Sequence, residues 1–186
     1  MPKITVGVMG ASDADALTQS ERDRLKDVAA RLGVLLAQED CVLITGATTG
    51  LPDLVCAAFR RTGGFSVGIS PASCRDEHAN RFELPPDCAD VIIYTGFGLK
   101  GRNVINVRSA DVVIIIGGAT GTLNEFTIAY DEGKIIGILE GTGGVADHIR
   151  EIIEFCKKPT RAAVFFDSDP NRLIGSCLAA QRDRHP

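Results

Sequence analysis

Seven short apolar runs alternate along this chain with longer segments of helical character, and this alternation constrains its fold most strongly. The run Val112–Ile116 consists of five consecutive apolar residues, which is typical of a buried strand. Between runs, Thr18 and Glu21 form a capping-box pair that predicts the start of a helix with one apolar face. The predicted strands are Ile4–Met9, Cys41–Thr45, Ser66–Ser70, Asp90–Thr95, Asp111–Ile116, Ile135–Leu139 and Ala162–Phe166.

Helices are predicted over residues 52–61, 145–157 and 170–181 as well, and residues 71–88 are predicted to be a polar excursion. Buried strands separated by amphipathic helices imply an α/β, Rossmann-like fold with a doubly wound parallel sheet and helices on both faces. No linker, repeat or low-complexity tract divides the sequence, so we expect a single domain over residues 1–186.

Composition and charge exclude several classes of function. The net charge is −4 and no dense Lys/Arg stripe occurs, which argues against a nucleic-acid partner. No apolar run approaches the roughly 20 residues of a membrane span, and the first residues are typical of a strand and not of a secretory signal, so a cytoplasmic protein is expected. The six cysteines form no CxxC pair and have no histidine at zinc spacing, so no metal site is predicted. Cys74 and Cys88 lie in polar surroundings and are expected to be exposed.

Three loops that follow predicted strands are rich in small and hydroxyl residues: Gly10–Asp13, Thr45–Gly50 and Gly117–Thr122. In such sheets ligands bind beyond the carboxyl ends of the strands, and a helix start after a glycine-rich turn favours phosphate. We therefore predict a site for a phosphorylated, nucleotide-like ligand at this edge. The candidate ligand-binding residues are Gly10, Ser12, Thr45, Gly46, Thr48, Gly117, Gly118, Thr120, Gly121 and Thr122.

Neither of two common nucleotide-binding motifs is present in full. The segment Gly96–Gly101 matches GxGxxG, but the next strand ends in Ile116-Gly117 without the acid that would hold a ribose, so NAD binding is not expected. No glycine-rich turn continues into Lys-Ser or Lys-Thr, so a P-loop is absent. A glycine-hinged loop that presents Arg102 is the better interpretation of this segment.

A longer pattern resembles a known family. Arg102-Asn103, Arg108–Asp111 and Gly117-Gly118-x-x-Gly121-Thr122-x-x-Glu125 resemble the signature of the Lonely Guy family, once labelled "lysine decarboxylase". That family shares a Rossmann-like fold with DprA-type proteins, and its better-known members are phosphoribohydrolases that cut the base from a nucleoside 5′-monophosphate. The resemblance covers roughly residues 4–140, and the most similar branch contains molybdenum cofactor carrier proteins.

The resemblance implies two alternatives for function. In a hydrolase, Glu125 would stabilise the cationic sugar or activate water, Arg102 would anchor the base or phosphate side, and no cofactor would be required. In a carrier, the same loops would hold the phosphate and pterin of a molybdenum cofactor as bound cargo. Ile116 stands where the hydrolase motif usually has proline, and Asn103 where it has a basic residue, so both alternatives stay open. The resemblance also implies a homodimer or homotetramer, with the helix after Gly101 near the interface.

Overall fold

The computed structural model describes residues 3–12 and 18–184. Its strands are β1 (Ile4–Gly10), β2 (Cys41–Thr45), β3 (Phe65–Ser70), β4 (Val91–Tyr94), β5 (Val112–Ile116), β6 (Ile135–Leu139) and β7 (Ala163–Asp167). Its α-helices are α1 (Gln19–Ala37), α2 (Leu51–Arg61), α3 (Gly98–Arg108), α4 (Thr120–Asp131), α5 (Ile149–Cys156) and α6 (Pro170–Arg184). A single π-helical turn over Glu77–Arg81 and a 3-10 turn over Gly144–His148 complete the regular structure.

The seven strands form one parallel sheet in the order β4-β3-β2-β1-β5-β6-β7. One core cluster, which includes Val8, Leu32 and Phe59, packs the sheet against α1, α2 and α6. A second cluster, which includes Phe126 and Ile149, packs the opposite face against α3, α4 and α5. The predicted α/β, doubly wound parallel sheet with helices on both faces is therefore confirmed.

The sheet changes direction between β1 and β5. From β1 the chain builds strands outward to β4, and it then crosses back to place β5 on the other side of β1. Gly10 and Ile116 are paired at the carboxyl ends of these two strands. A crevice opens at such a switch point, which is the usual ligand position in open α/β sheets.

Three local predictions need correction. The segment predicted as a glycine-hinged loop is helical from Gly98, because the positive-φ residues Gly96 and Gly98 turn the chain directly into α3. The helix predicted over residues 145–157 is instead a 3-10 turn followed by α5. Cys88 is buried, and its environment raises the pKa of its thiol to about 12, mainly through burial, whereas Cys74 is exposed as expected.

The capping box at the start of α1 is present as predicted. The Thr18 hydroxyl accepts a hydrogen bond from the Glu21 amide, and the Glu21 carboxylate accepts one from the Thr18 amide at 2.8 Å. Side chains of α1 and its N-cap therefore satisfy amide groups at the start of this helix, whereas the start of α4 has no side-chain cap. Among the residues described, no helix has the length and apolar character needed to span a bilayer.

Candidate functional site

A cleft of about 430 Å³ lies at the switch point between β1 and β5, within the size range of small-molecule sites. Ten of the predicted site residues line it: Gly10, Ser12, Thr48, Arg102, Gly117, Gly118, Thr120, Gly121, Thr122 and Glu125. The structure therefore brings together residues from all three predicted loops and from the Arg102–Glu125 pair. Thr45 and Gly46 are not among the residues that line the cleft, and Asp13 lies outside the described residues.

The loop between β5 and α4 is held in place by the loop that follows β6. The Gly117 amide donates to the Thr142 hydroxyl at 2.8 Å, and the carbonyl of Gly118 accepts from the Val145 amide at 2.8 Å. Gly118 has a φ of +101°, and a β-carbon there would lie 2.4 Å from the Thr122 hydroxyl oxygen, so only glycine fits this position. The turn is thus fixed before any ligand arrives.

The N-terminus of α4 opens into the cleft without a side-chain cap. Ala119 occupies the N-cap position, and no side chain there accepts from the helix amides. The Leu123 amide is the first to bond back within the helix, to the Ala119 carbonyl at 2.9 Å. The amides of Thr120, Gly121 and Thr122 therefore precede the intrahelical ladder, and with the helix dipole they are suited to bind an anion, which makes this helix start a candidate anion seat.

Arg102 and Glu125 form a buried ion pair on one wall of the cleft. Arg102 Nη1 lies 3.0 Å from Glu125 Oε1, and the two residues are only 7% and 6% exposed. The Asn106 side-chain amide donates to the same oxygen at 3.1 Å. Glu125 Oε2 accepts no hydrogen bond from any described residue, so one carboxylate oxygen of this cleft-lining residue is left for a ligand.

The Arg102 guanidinium donates fewer hydrogen bonds than is usual for a buried group. It carries five N–H donors, of which one is bonded within residues 3–12 and 18–184, and its buried Nε has no partner there. The guanidinium lies directly over Gly46, where a β-carbon would be 2.2 Å from Nη2 and 2.5 Å from Cζ. Gly46 thus makes room for Arg102. A buried arginine with unused donors at the wall of a cleft is suited to receive an acceptor from a ligand.

Burial sets the electrostatics of the pair. Desolvation raises the pKa of the Glu125 carboxyl, while the Arg102 guanidinium, the Asn106 amide and Lys100 oppose that rise. Burial lowers the pKa of Arg102, and Glu125 opposes that change, so the guanidinium keeps its charge at neutral pH. The pair therefore offers a positive and a negative group side by side in a site of low polarity.

Two parts of the site were not foreseen. Lys100, on the first turn of α3, lines the cleft, and its Nζ lies 3.6 Å from the position of a β-carbon on Gly121. Thr142, Gly143 and Gly144 form a fourth wall after β6. Their Gly-Thr-Gly-Gly sequence after a strand is the same signal that identified the other loops. Lys100 had no such signal, because its position depends on where α3 begins. In the described part of the chain, no three His, Cys, Asp or Glu side chains lie close enough together to hold a metal ion.

Comparison with known proteins assigns this chain to a family. The family model of the SLOG cluster4 family matches residues 3–174. An uncharacterised protein of Archaeoglobus fulgidus is 34% identical over 140 residues, which cover 75% of this chain and 82% of that protein.

Two solved structures are similar over nearly their full lengths. The structural genomics target TM1055 has a TM-score of 0.80 and 27% identity, covering 95% of this chain and 99% of that one. The molybdenum cofactor binding protein from the phototrophic bacterium Rippkaea orientalis has a TM-score of 0.75 and 28% identity, covering 97% and 98%. These matches confirm the resemblance at the level of the Lonely Guy-like superfamily, in the neighbourhood of the molybdenum cofactor carriers.

Proposed function

The chain belongs to the SLOG cluster4 family, and from this membership and the geometry of its cleft we propose that it binds a phosphorylated, nucleotide-like ligand and hydrolyses the N-glycosidic bond of a nucleoside 5′-monophosphate. The observation that carries the proposal is the pairing of two features on α4. The uncapped helix start supplies an anion seat, and Glu125 presents an unbonded carboxylate oxygen from the same helix.

The spacing of these two features suits a ribose phosphate. Glu125 is the sixth residue of α4, so its backbone lies about 7.5 Å along the axis from the first residue. Helical side chains lean toward the N-terminus, which brings the carboxylate closer to the seat than its backbone. A phosphate bound at the helix start would thus leave the sugar within reach of Glu125.

The residues then supply the chemistry as follows. As the bond between the anomeric carbon and the base nitrogen breaks, positive charge grows on the sugar and negative charge on the base. The ionised Glu125 Oε2 stabilises the cationic sugar and orients the water that attacks it. Water delivers its hydroxyl to the anomeric carbon and its proton to the departing base, which yields ribose 5-phosphate and free base. Arg102 fixes the carboxylate through Oε1 and keeps donors for the ligand.

The second candidate function is a carrier of molybdenum cofactor, favoured by the similarity to the Rippkaea orientalis protein. The same seat would hold the cofactor phosphate, and the glycine-rich walls would border the pterin. The described lining residues include no cysteine or histidine. Mass spectrometry of molecules that co-purify with the protein tests this alternative directly.

Calorimetry and product analysis test the main proposal. AMP should bind more tightly than adenosine, because only AMP carries the phosphate that the seat accepts. Incubation with AMP and a panel of other monophosphates should release free base, detected by chromatography. Equal affinity for AMP and adenosine would argue against the seat. Tight AMP binding without release of any base would favour the carrier.

We also propose that two copies pair through the sheet face that carries α3. Val91 and Ile93 on β4 project from the same face of the sheet as Phe65 on β3, and each of the three is about half exposed. Phe97 and Leu99 at the start of α3 are exposed as well. Clustered apolar surface of this kind favours association. Light scattering should give the mass of a dimer or tetramer at micromolar concentration, and a monomer would refute this proposal.

A further inference from the structure

Lys100 stands over the start of α4 from the neighbouring helix. Its Nζ lies 3.6 Å from where a β-carbon of Gly121 would be, and Gly121 is the second residue of α4. The lysine is exposed and makes no salt bridge to any residue in the described ranges. Its ammonium group therefore faces the same space as the first amides of the helix.

The helix start is not the sole sign of a ligand here. Arg102 is only 7% exposed and lines the same cleft. It uses one of its five N–H donors within the described residues. Buried polar groups are normally satisfied, so this shortfall points to an acceptor that a ligand supplies. Lys100 and Arg102 both line this cleft, so a ligand bound in it lies within range of both cations.

We propose that Lys100 selects a terminal phosphomonoester by closing over the phosphate at the start of α4; this inference rests on the proposed function and deepens it. A monoester carries about two negative charges near neutral pH and three free oxygens. The seat offers the amides of Thr120, Gly121 and Thr122 together with one mobile ammonium group. A diester, with one charge and two free oxygens, would leave part of this donor set unsatisfied.

This assignment separates the roles of the two cations. Lys100 binds the phosphate, whereas Arg102 holds Glu125 and faces the part of the ligand beyond the phosphate. Lys100 is thus a specificity-determining residue that acts on affinity. Its removal should raise KM by a larger factor than it lowers kcat, because Glu125 and its hydrogen-bond partners stay in place.

Calorimetry at low ionic strength with AMP, 3′,5′-cyclic AMP, adenosine and inorganic phosphate tests the proposal. The proteins are wild type, Lys100→Met, Lys100→Arg and the control Lys3→Met. Lys3 pairs with Asp40 at the amino ends of β1 and β2, whereas the cleft lies at the carboxyl ends of the strands. Lys100→Met should weaken binding of AMP and phosphate roughly tenfold, the loss expected for one charge-assisted hydrogen bond. Adenosine and cyclic AMP should be affected much less, and the loss should shrink in high salt.

The controls keep the outcomes distinct. Lys100→Arg should stay within about threefold of wild type, and Lys3→Met should not differ from it. If wild type prefers AMP over adenosine and Lys100→Met binds AMP equally well, the role of Lys100 is refuted while the proposed function stands. If wild type binds neither AMP nor phosphate, the phosphate seat itself fails, and the proposed function fails with it.

Discussion

Replacement of Gly46 by alanine tests whether this glycine exists to accommodate Arg102. The new β-carbon would lie 2.2 to 2.6 Å from three guanidinium atoms, far inside contact distance. Gly46 does not have a positive φ, so alanine meets no backbone strain there and the collision is the main effect. Arg102 is the flexible partner, so we expect it to swing into the cleft and leave Glu125 without its ion pair.

The cost can be estimated from the pair that is lost. Breaking a buried ion pair typically costs about 3–5 kcal/mol. Two effects lower this loss of stability. Glu125 keeps its hydrogen bond from Asn106 and faces the cleft. Alanine also reduces the conformational entropy of the unfolded chain. We expect Gly46→Ala to lower the free energy of unfolding by about 2 kcal/mol near neutral pH.

The loss should depend on pH in a defined direction. Without Arg102, the folded-state pKa of Glu125 rises further above its unfolded value, since burial already raises it in the wild type. The Glu125 carboxyl of the variant then stays protonated at pH values where that of the wild type is ionised. Its stability deficit should therefore widen as pH is raised and narrow as pH is lowered.

Urea unfolding followed by circular dichroism measures this deficit. Gly175→Ala is the matched control, because a β-carbon there meets nothing within 4 Å on helix α6, and it should stabilise by about 0.5–1 kcal/mol. Gly46→Ala in a Glu125→Gln background should cost much less than in wild type. A deficit below about 0.5 kcal/mol that does not change with pH would refute the reasoning.

Three further predictions address other parts of the molecule. Ile93→Asp should convert the proposed dimer into monomer by light scattering without lowering the unfolding midpoint of the monomer, and an unchanged mass would place the interface elsewhere. Thiol reagents should modify Cys74 and Cys156 quickly and the four buried cysteines only on unfolding, so more than two fast thiols would contradict the assigned burial. Asn106→Asp should destabilise by about 3 kcal/mol near neutral pH, because it places a second carboxylate against buried Glu125, and denaturant titration should show the loss shrinking as pH falls.

The fold was largely predictable because local and tertiary preferences agree. Val112–Ile116 and Ile135–Leu139 are entirely buried strands, as continuous apolar runs imply. The capping box of Thr18 and Glu21 placed the start of α1 correctly for the same reason. The boundaries that were wrong lie where positive-φ glycines redirect the chain, as at Gly98, since the sequence shows a glycine but not its backbone angle.

The loops that line the candidate cleft could be grouped from the sequence, but their internal contacts could not. The loops could be assigned to one edge of the sheet by topology alone. That Gly46 lies under a guanidinium, or that Lys100 stands over another helix, depends on the packing of α3 against its neighbours. Cys88 was misjudged for a similar reason: polar neighbours in sequence do not reveal that Cys56 donates its thiol to the Cys88 carbonyl at 3.1 Å in the interior.

The central claim, that Glu125 performs glycosidic chemistry on a phosphate-anchored ligand, is tested most directly by base release in wild type and Glu125→Gln. Wild type should release base from at least one nucleoside 5′-monophosphate. The variant should lose turnover while binding the same compound within about threefold, because glutamine keeps the size but not the charge that the cationic sugar requires. No release by a wild-type protein that binds monophosphates, or unchanged turnover in the variant, would contradict the account.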